Sequence, residues 1–293
     1  MEKIVVSGVQ FGIEPNQIEA NTEKCLKKIR EAYEQSRPRL IVLPETITTG
    51  FVPGMPTQKF WEMIDPLDGP SPTAVKKLAK QLKVWVVFPM YEKGKEKGQV
   101  FNSALVINPQ GRLAGVYRKT HPFPGERSWT TPGNALPVFN LGFAKMGITI
   151  CYEGDFPELS RILALKGAEI IVRPSALLRS FEIWDFTNRA RAYDNHVYLL
   201  AVNAVGGPDG GGNFNFGHSM IVNPIGQKIA QARGTEEIVS AELDPEPLKY
   251  ITYGTRTPME FDHLEDRRVE LYGDIMKHRK SPFEPARRIK YKR

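Results

Sequence analysis

The chain has only two cysteines in 293 residues, Cys25 and Cys151, so no disulfide framework can be built from it. Its five histidines form no Cys/His ligand cluster, so no metal and no organic cofactor is expected. None of them sits in a papain-like or caspase-like motif that would pair it with a thiol. No run approaches 18 apolar residues, so no membrane span is expected. The opening MEKIVVSGVQF reads as a strand and not as a charged-then-apolar leader, which with so few cysteines points to the cytoplasm.

A basic surface is missing as well, despite a formal net charge of +7. Residues 279–293, RKSPFEPARRIKYKR, hold seven Lys or Arg and one Glu, a net of +6, which leaves +1 for the other 278 residues. A nucleic-acid groove needs clustered charge on the folded body, so nucleic acid is not the expected partner. The tail reads as a solvated or subunit-contacting extension, the alternative being an RNA-binding or acidic-partner arm.

What the chain does have is a rhythm of short apolar runs. They are KIVVSGVQF from Lys3, LIVLP from Leu40, VWVVFP from Val84, SALVI from Ser103 and KMGITI from Lys145. EIIVRP from Glu169, VYLLAVN from Val197, HSMIV from His218 and EIVSAEL from Glu237 continue the series. Runs this rich in Val and Ile are strands covered by other layers. Between them lie helical segments: residues 17–35, SPTAVKKLAKQL with Ser71 as cap, DFPELSRILALKG with Asp155 as cap and Gly167 as stop, and EIWDFTNRARAYDNHVY. The alternation is that of an α/β protein. Part of it repeats. LIVLPE (40–45) echoes EIIVRPS (169–175), and Asn-Pro-x-Gly joins two apolar runs both after Ser103 and after Ser219. Asn-Pro-x-Gly is hairpin chemistry, but the repeated order suggests two sheets with approximate internal symmetry. No low-complexity linker interrupts the first 250 residues or so, which reads as one domain with an extension.

Cys25 falls on the apolar stripe of the first helical segment and reads as core. Cys151 is different, because ITICYEGDFPEL places it between a strand and a helix start, where oriented backbone dipoles favour a thiolate. A buried structural thiol and a nucleophile both fit that position. A nucleophile needs a base, and Glu45 follows an apolar strand and a proline, where partial desolvation would raise its basicity. Lys119 and Glu126 lie in VYRKTHPFPGERSWTTPGN, after another strand hairpin.

Together LPET with Glu45, YRKTH with Lys119 and ICYEGDFPEL with Cys151 resemble the nitrilase superfamily of carbon–nitrogen hydrolases, in that order along the chain. LALKGAEIIVRPSAL, NRARAYDNHVYLLAVNAVG, FGHSMIVNPIG and DRRVELYG extend the resemblance over residues 3–273, leaving 274–293 as a basic extension. It implies a four-layer αββα sandwich that commonly pairs into homodimers or higher oligomers. It also implies a catalytic Glu45, Lys119 and Cys151, with Glu126 positioning the lysine and the Tyr152 N–H helping to hold an oxyanion. The implied substrate is a small amide, hydrolysed with water. Cys-Tyr-Glu-Gly at 151–154, in place of the Cys-Trp-Glu of true nitrilases, disfavours a nitrile. N-carbamoyl compounds are the alternative, although the paired arginines that follow the cysteine in carbamoyl-amino-acid hydrolases are lacking. An inactive binding protein on the same fold is disfavoured by the intact residue set. Arg173 and Arg179 are candidate carboxylate anchors or, equally, structural ion-pair partners of Glu153 or Asp155. Glu153, Phe51 and Trp129 are further candidates for the substrate pocket, together with Phe123, Trp184 and Phe214, with core packing the plainer reading of each aromatic. The glycine-rich run 206–217 reads as a loop beside the site.

Overall fold

Every apolar run named above forms a strand in the computed structural model, which describes residues 1–178, 180–207, 214–246, 260–283 and 285–289. One sheet holds β1 (Ile4–Gln10), β2 (Leu40–Val42), β3 (Trp85–Lys93), β4 (Val100–Ile107), β5 (Leu113–Arg118) and β14 (Glu237–Leu243). The other holds β6 (Val138–Asn140), β7 (Lys145–Ile148), β8 (Ile170–Ser175), β9 (Tyr198–Asn203), β12 (Met220–Val222) and β13 (Lys228–Gln231). A short ribbon pairs β10 (Val205–Gly206) with β11 (Asn215–Phe216). The helices are α1 (Ile18–Ser36), α2 (Thr57–Met63), α3 (Pro70–Leu82), α4 (Pro157–Leu165) and α5 (Phe181–Asn195).

Because successive strand residues point to opposite faces, each central strand feeds two cores. Val87, Ala104 and Val106 pack toward the second sheet, among Met146, Ile148 and Val172. Their neighbours Val86, Phe88 and Leu105 pack the other way, onto Cys25 and Ile29 of α1 and Val75 and Leu78 of α3. On the far side Leu163 of α4 and Trp184 of α5 close the second sheet. The layers therefore run helix, sheet, sheet, helix, the αββα sandwich that the sequence resemblance implied. The sheets approach closely at Gly8, where a Cβ would stand 2.8 Å from a methyl of Val202.

The repeat in the sequence is a repeat of topology. The first sheet runs β14-β1-β2-β3-β4-β5 and the second β6-β7-β8-β9-β12-β13. In both, the middle three strands are parallel and the flanking pairs antiparallel. Both Asn-Pro-x-Gly turns are built alike. Asn108 Oδ1 accepts from the backbone N–H of Gln110 and Arg112, and Asn223 Oδ1 accepts from Ile225 and Gln227. Gly111 and Gly226 then take the left-handed backbone (φ +72° and +76°) that a glycine adopts without strain.

Two helix caps differ from the sequence reading. The cap of α3 is Gly69, with Pro70 as the first helical residue, so Ser71 sits inside the first turn and its hydroxyl accepts from Thr22 of α1. The cap of α4 is Phe156, and Asp155 instead lies 3.6 Å from the Arg173 guanidinium. Gly167 does follow the end of α4, in the left-handed region. Beyond residue 260 the described chain lies on the surface in short turns, and the Arg127 guanidinium donates to the Ile289 carbonyl. No helix among the described residues is long and apolar enough to cross a membrane.

Candidate active site

The two readings of Cys151 meet at the end of β7. Pairing with β8 continues one residue past the strand, where the Thr149 N–H donates to the Val172 carbonyl (3.0 Å), and then the chain turns sharply. Cys151 takes φ +50°, a left-handed conformation that a residue with a side chain adopts only when its surroundings impose it. The imposition is visible on both sides. Ile150 N–H donates to Glu153 Oε2 (2.7 Å) and Glu153 N–H returns to the Ile150 carbonyl (3.0 Å), closing the turn Cys151–Asp155. From below, Arg173 Nε donates to the Cys151 carbonyl (2.8 Å). The helix α4 begins only at Pro157, so the electrostatics of the thiol are set by nearby charges rather than by that helix end. Burial pushes the Cys151 thiol up to about 12, and Glu45 adds to this, while Lys119 and Arg173 pull the other way.

Glu45 lies just past β2, in a segment pinned to both sheets: its own N–H donates to the Ser175 carbonyl (3.3 Å) and that of Ile47 to the Pro89 carbonyl (3.1 Å). Its Oε2 accepts from the Ala176 N–H (2.8 Å), and its Oε1 from Lys119 Nζ (2.7 Å) and Asn102 Nδ2 (2.8 Å). Lys119 follows β5 and is fixed by its N–H to the Asn102 carbonyl (2.8 Å). Its ammonium also donates to Glu126 Oε2 (2.8 Å), which takes a further bond from the Phe123 N–H (3.1 Å). Asn102 Nδ2 reaches Glu126 Oε1 as well, at 2.6 Å. The three charged side chains are fully buried.

Two carboxylates and one ammonium in a dry site determine which groups keep their charge. Burial works against the Lys119 ammonium, but Glu126 and Glu45 outweigh it and hold its pKa above that of an ordinary lysine. Burial, and then repulsion from Glu45, raise the Glu126 pKa despite the bonds from Lys119 and Asn102. The arrangement can therefore present a sulfur nucleophile beside a carboxylate able to accept a proton and a fixed positive charge able to hold an anionic oxygen.

Glu153 and Arg173, candidate substrate ligands in the sequence, are both turned into the protein. Glu153 Oε1 accepts from Tyr117 Oη (2.7 Å), from the N–H and hydroxyl of Thr120 (both 2.7 Å) and from the His121 N–H (3.0 Å). It ties the cysteine turn to the segment after Lys119. Burial alone would raise its pKa, yet the His121 ring and the bonds from Ile150, Tyr117 and Thr120 bring it below that of an ordinary glutamate. Arg173 Nη1 donates to Thr187 Oγ1 (2.9 Å) and Asn188 Oδ1 (2.7 Å) of α5, and its guanidinium covers the Trp184 ring. Gly154 is what makes room, since a Cβ there would fall 2.0 Å from the Arg173 guanidinium carbon.

Above the cluster the aromatics touch in series. Trp129 and Phe51, Phe51 and Phe123, Phe123 and Tyr152, and Tyr152 and Phe156 all meet edge to face, with centroids 5.1–6.3 Å apart. Phe51 lies 5.5 Å from Lys119 Nζ. Phe51 and Trp129 thus stand beside the charged cluster, whereas Trp184 is core beneath Arg173 and Phe214 is exposed. Arg179 and residues 208–213 of the glycine-rich run lie outside the described residues. Grooves of about 620 and 600 Å³ lie elsewhere, the first over α4 and α5 near His263 and the second between Thr120 and Leu159; Cys151 lines neither.

Asn102 was missed from the sequence, although an Asn in the otherwise apolar VFNSALVI is a signal. Backbone donors such as Ala176 N–H leave no side-chain trace at all. Among the described residues, no group of three His, Cys, Asp or Glu side chains is arranged to hold a metal.

The two-sheet sandwich and its strand-end residues define a nitrilase-superfamily protein. More narrowly, the chain belongs to the carbon–nitrogen hydrolase family, whose model matches residues 6–251. It is 32% identical over 278 residues to a probable nitrilase, C965.09, of Schizosaccharomyces pombe, covering 94% of this chain and 99% of that one. It is 31% identical over 262 residues to omega-amidase NIT2 of Xenopus tropicalis, covering 86% and 92%. Among solved structures it matches Nit3 of Saccharomyces cerevisiae with a TM-score of 0.75 and 30% identity, over 84% of this chain and 91% of that one.

Proposed function

We propose that this chain hydrolyses the C–N bond of a small amide, giving a carboxylic acid and ammonia through a thioester on Cys151. The observation that carries the reading is the buried cluster in which Glu45, 2.7 Å from the Lys119 ammonium, also faces the Cys151 thiol. Glu45 takes the thiol proton as sulfur attacks the carbonyl carbon, and the carbonyl electrons move onto oxygen. Lys119 and the Tyr152 N–H hold that oxyanion. Its collapse expels the amine, which takes the proton from Glu45 and leaves as ammonia. Glu45 then deprotonates a water that attacks the thioester, and the thiol re-forms with release of the acid. Glu126 and Asn102 keep the ammonium in place.

The charges placed around Cys151 support one substrate class over the others. An N-carbamoyl or ω-amide acid needs a cation to hold its carboxylate, and of the two candidates Arg173 is engaged beneath the cysteine turn while Arg179 lies outside the described residues. Short neutral amides need no such cation, and Phe51, Phe123, Trp129 and Tyr152 supply aromatic surface beside the charged cluster. The relatives' names include both a nitrilase and an omega-amidase, so the deciding experiment is a screen of ammonia release across short amides, ω-amide acids, N-carbamoyl acids and nitriles. Turnover is expected with short amides and abolished by Cys151→Ala. Release from nitriles alone would overturn the amide reading.

We further propose that a second copy covers the outer face of α4 and α5, where Leu165, Ile183 and Phe186 are exposed. Sedimentation is expected to show a dimer or larger assembly that Phe186→Glu disrupts.

A further inference from the structure

Arg173 is a charged residue in an unlikely place. It lies in the apolar strand β8, is 1% exposed, and reaches under the nucleophile turn rather than toward a ligand. Each described contact has a partner of fixed position: Nε on the Cys151 carbonyl, Nη1 on Thr187 and Asn188, and Asp155 at 3.6 Å from Nη2. The space it fills exists only because residue 154 has no side chain. An arginine keeps its charge when buried, and in a low dielectric that charge acts over several ångströms.

Resting on the proposed role of Cys151, we infer that Arg173 is a positioning residue for the nucleophile, holding the Cys151 backbone in its left-handed turn and setting a buried positive charge beneath the thiol. The charged groups that face the thiol are Glu45 from the end of β2, Lys119 from the end of β5 and Arg173 from β8. The Tyr91 phenol of β3 also senses it. Lys119 sits between two carboxylates at 2.7 and 2.8 Å, and Asp155 lies 3.6 Å from Arg173 Nη2. Both cations lower the thiol pKa, Lys119 first and Arg173 second, and Arg173 is the one that also bonds to the Cys151 backbone.

The test needs no substrate, so its outcome is independent of whether amides are hydrolysed. Alkylation of Cys151 by iodoacetamide, located by mass spectrometry, is followed from pH 6 to 9 in the wild type, Arg173→Met, Arg173→Lys and Asn188→Asp, with thermal melts to confirm folding. Loss of the charge in Arg173→Met is expected to slow alkylation about tenfold at each pH, the effect of raising the thiol pKa by about one unit. Arg173→Lys keeps the charge and is expected to recover most of the rate. Asn188→Asp, which leaves Arg173 in place and sets a carboxylate on its guanidinium, is expected to slow alkylation in the same direction. If Arg173→Met does not fold, Asn188→Asp and Arg173→Lys carry the comparison. Unchanged alkylation in folded Asn188→Asp, or a loss in Arg173→Lys as large as in Arg173→Met, would overturn the inference.

Discussion

Lys119 and Glu45 meet at 2.7 Å with neither side chain exposed to solvent. A pair so placed is weak evidence for stability by itself, because desolvation offsets most of its attraction, but breaking it leaves an unpaired buried charge. Here removal of the lysine strands two carboxylates, Glu45 and Glu126. Lys119→Ala is therefore expected to lower unfolding free energy by about 3–5 kcal/mol and to abolish turnover. Urea denaturation alongside an ammonia-release assay checks both effects. Lys119→Ala with wild-type stability would mean that the cluster is not charged as described.

Asn102 donates to both carboxylates from one nitrogen. Asn102→Leu is expected to cost about 1–3 kcal/mol of stability by leaving buried acceptors with fewer donors. It is also expected to lower kcat more than it raises KM, since Asn102 acts through Glu45 and Lys119. Steady-state kinetics on the preferred amide separate the two parameters.

The difference between these residues shows what a sequence can and cannot carry. Glu45, Lys119 and Cys151 were legible because each ends an apolar strand, where a charged or nucleophilic side chain has no packing reason to be. Asn102 lies within β4 and its role depends on which face of the strand it uses, set by register and not by local pattern. Glu153 and Arg173 stood out as unusual, but their direction turns on the left-handed backbone at Cys151, which no glycine announces. The strands outside the nine apolar runs are the edge strands β5, β6 and β13 and the two-residue β10 and β11, whose residues are largely half-buried or exposed, so the apolar signal fades. The doubled hairpin turn was legible because Asn and Gly are needed for its geometry.

Glu153 predicts an acid limb to the stability curve. Its folded carboxyl binds a proton more weakly than the unfolded chain does, so its contribution is complete above the unfolded value of about 4.3 and falls away as pH drops through the lower folded value. Glu153→Gln is expected to lower the melting temperature at pH 7 and to flatten its fall on acidification. Melts from pH 7 down to 3 test this, and an unchanged acid slope in Glu153→Gln would count against the assignment.

Gly154 is required by contact rather than by backbone angle. Gly154→Ala sets a methyl on the Arg173 guanidinium and is expected to cost about 1–3 kcal/mol, with most activity lost as the turn shifts. Retained activity together with wild-type stability would show that the guanidinium can move aside freely.

Alkylation distinguishes the two cysteines. Burial raises the pKa of both thiols, but Cys25 is fully enclosed on α1, whereas Cys151 is 6% exposed and has Lys119 and Arg173 pulling its pKa back down. Iodoacetamide is expected to inactivate the protein with its adduct on Cys151, and an adduct on Cys25 alone would contradict the placement of the nucleophile.

Intact-mass spectrometry of acid-quenched protein, caught while turning over a short amide, examines the thioester itself. The expected result is a mass gain equal to the acyl group, located on the Cys151 peptide and absent from a folded Cys151→Ala protein that releases no ammonia. A folded Cys151→Ala protein that still hydrolyses the amide would contradict cysteine catalysis outright.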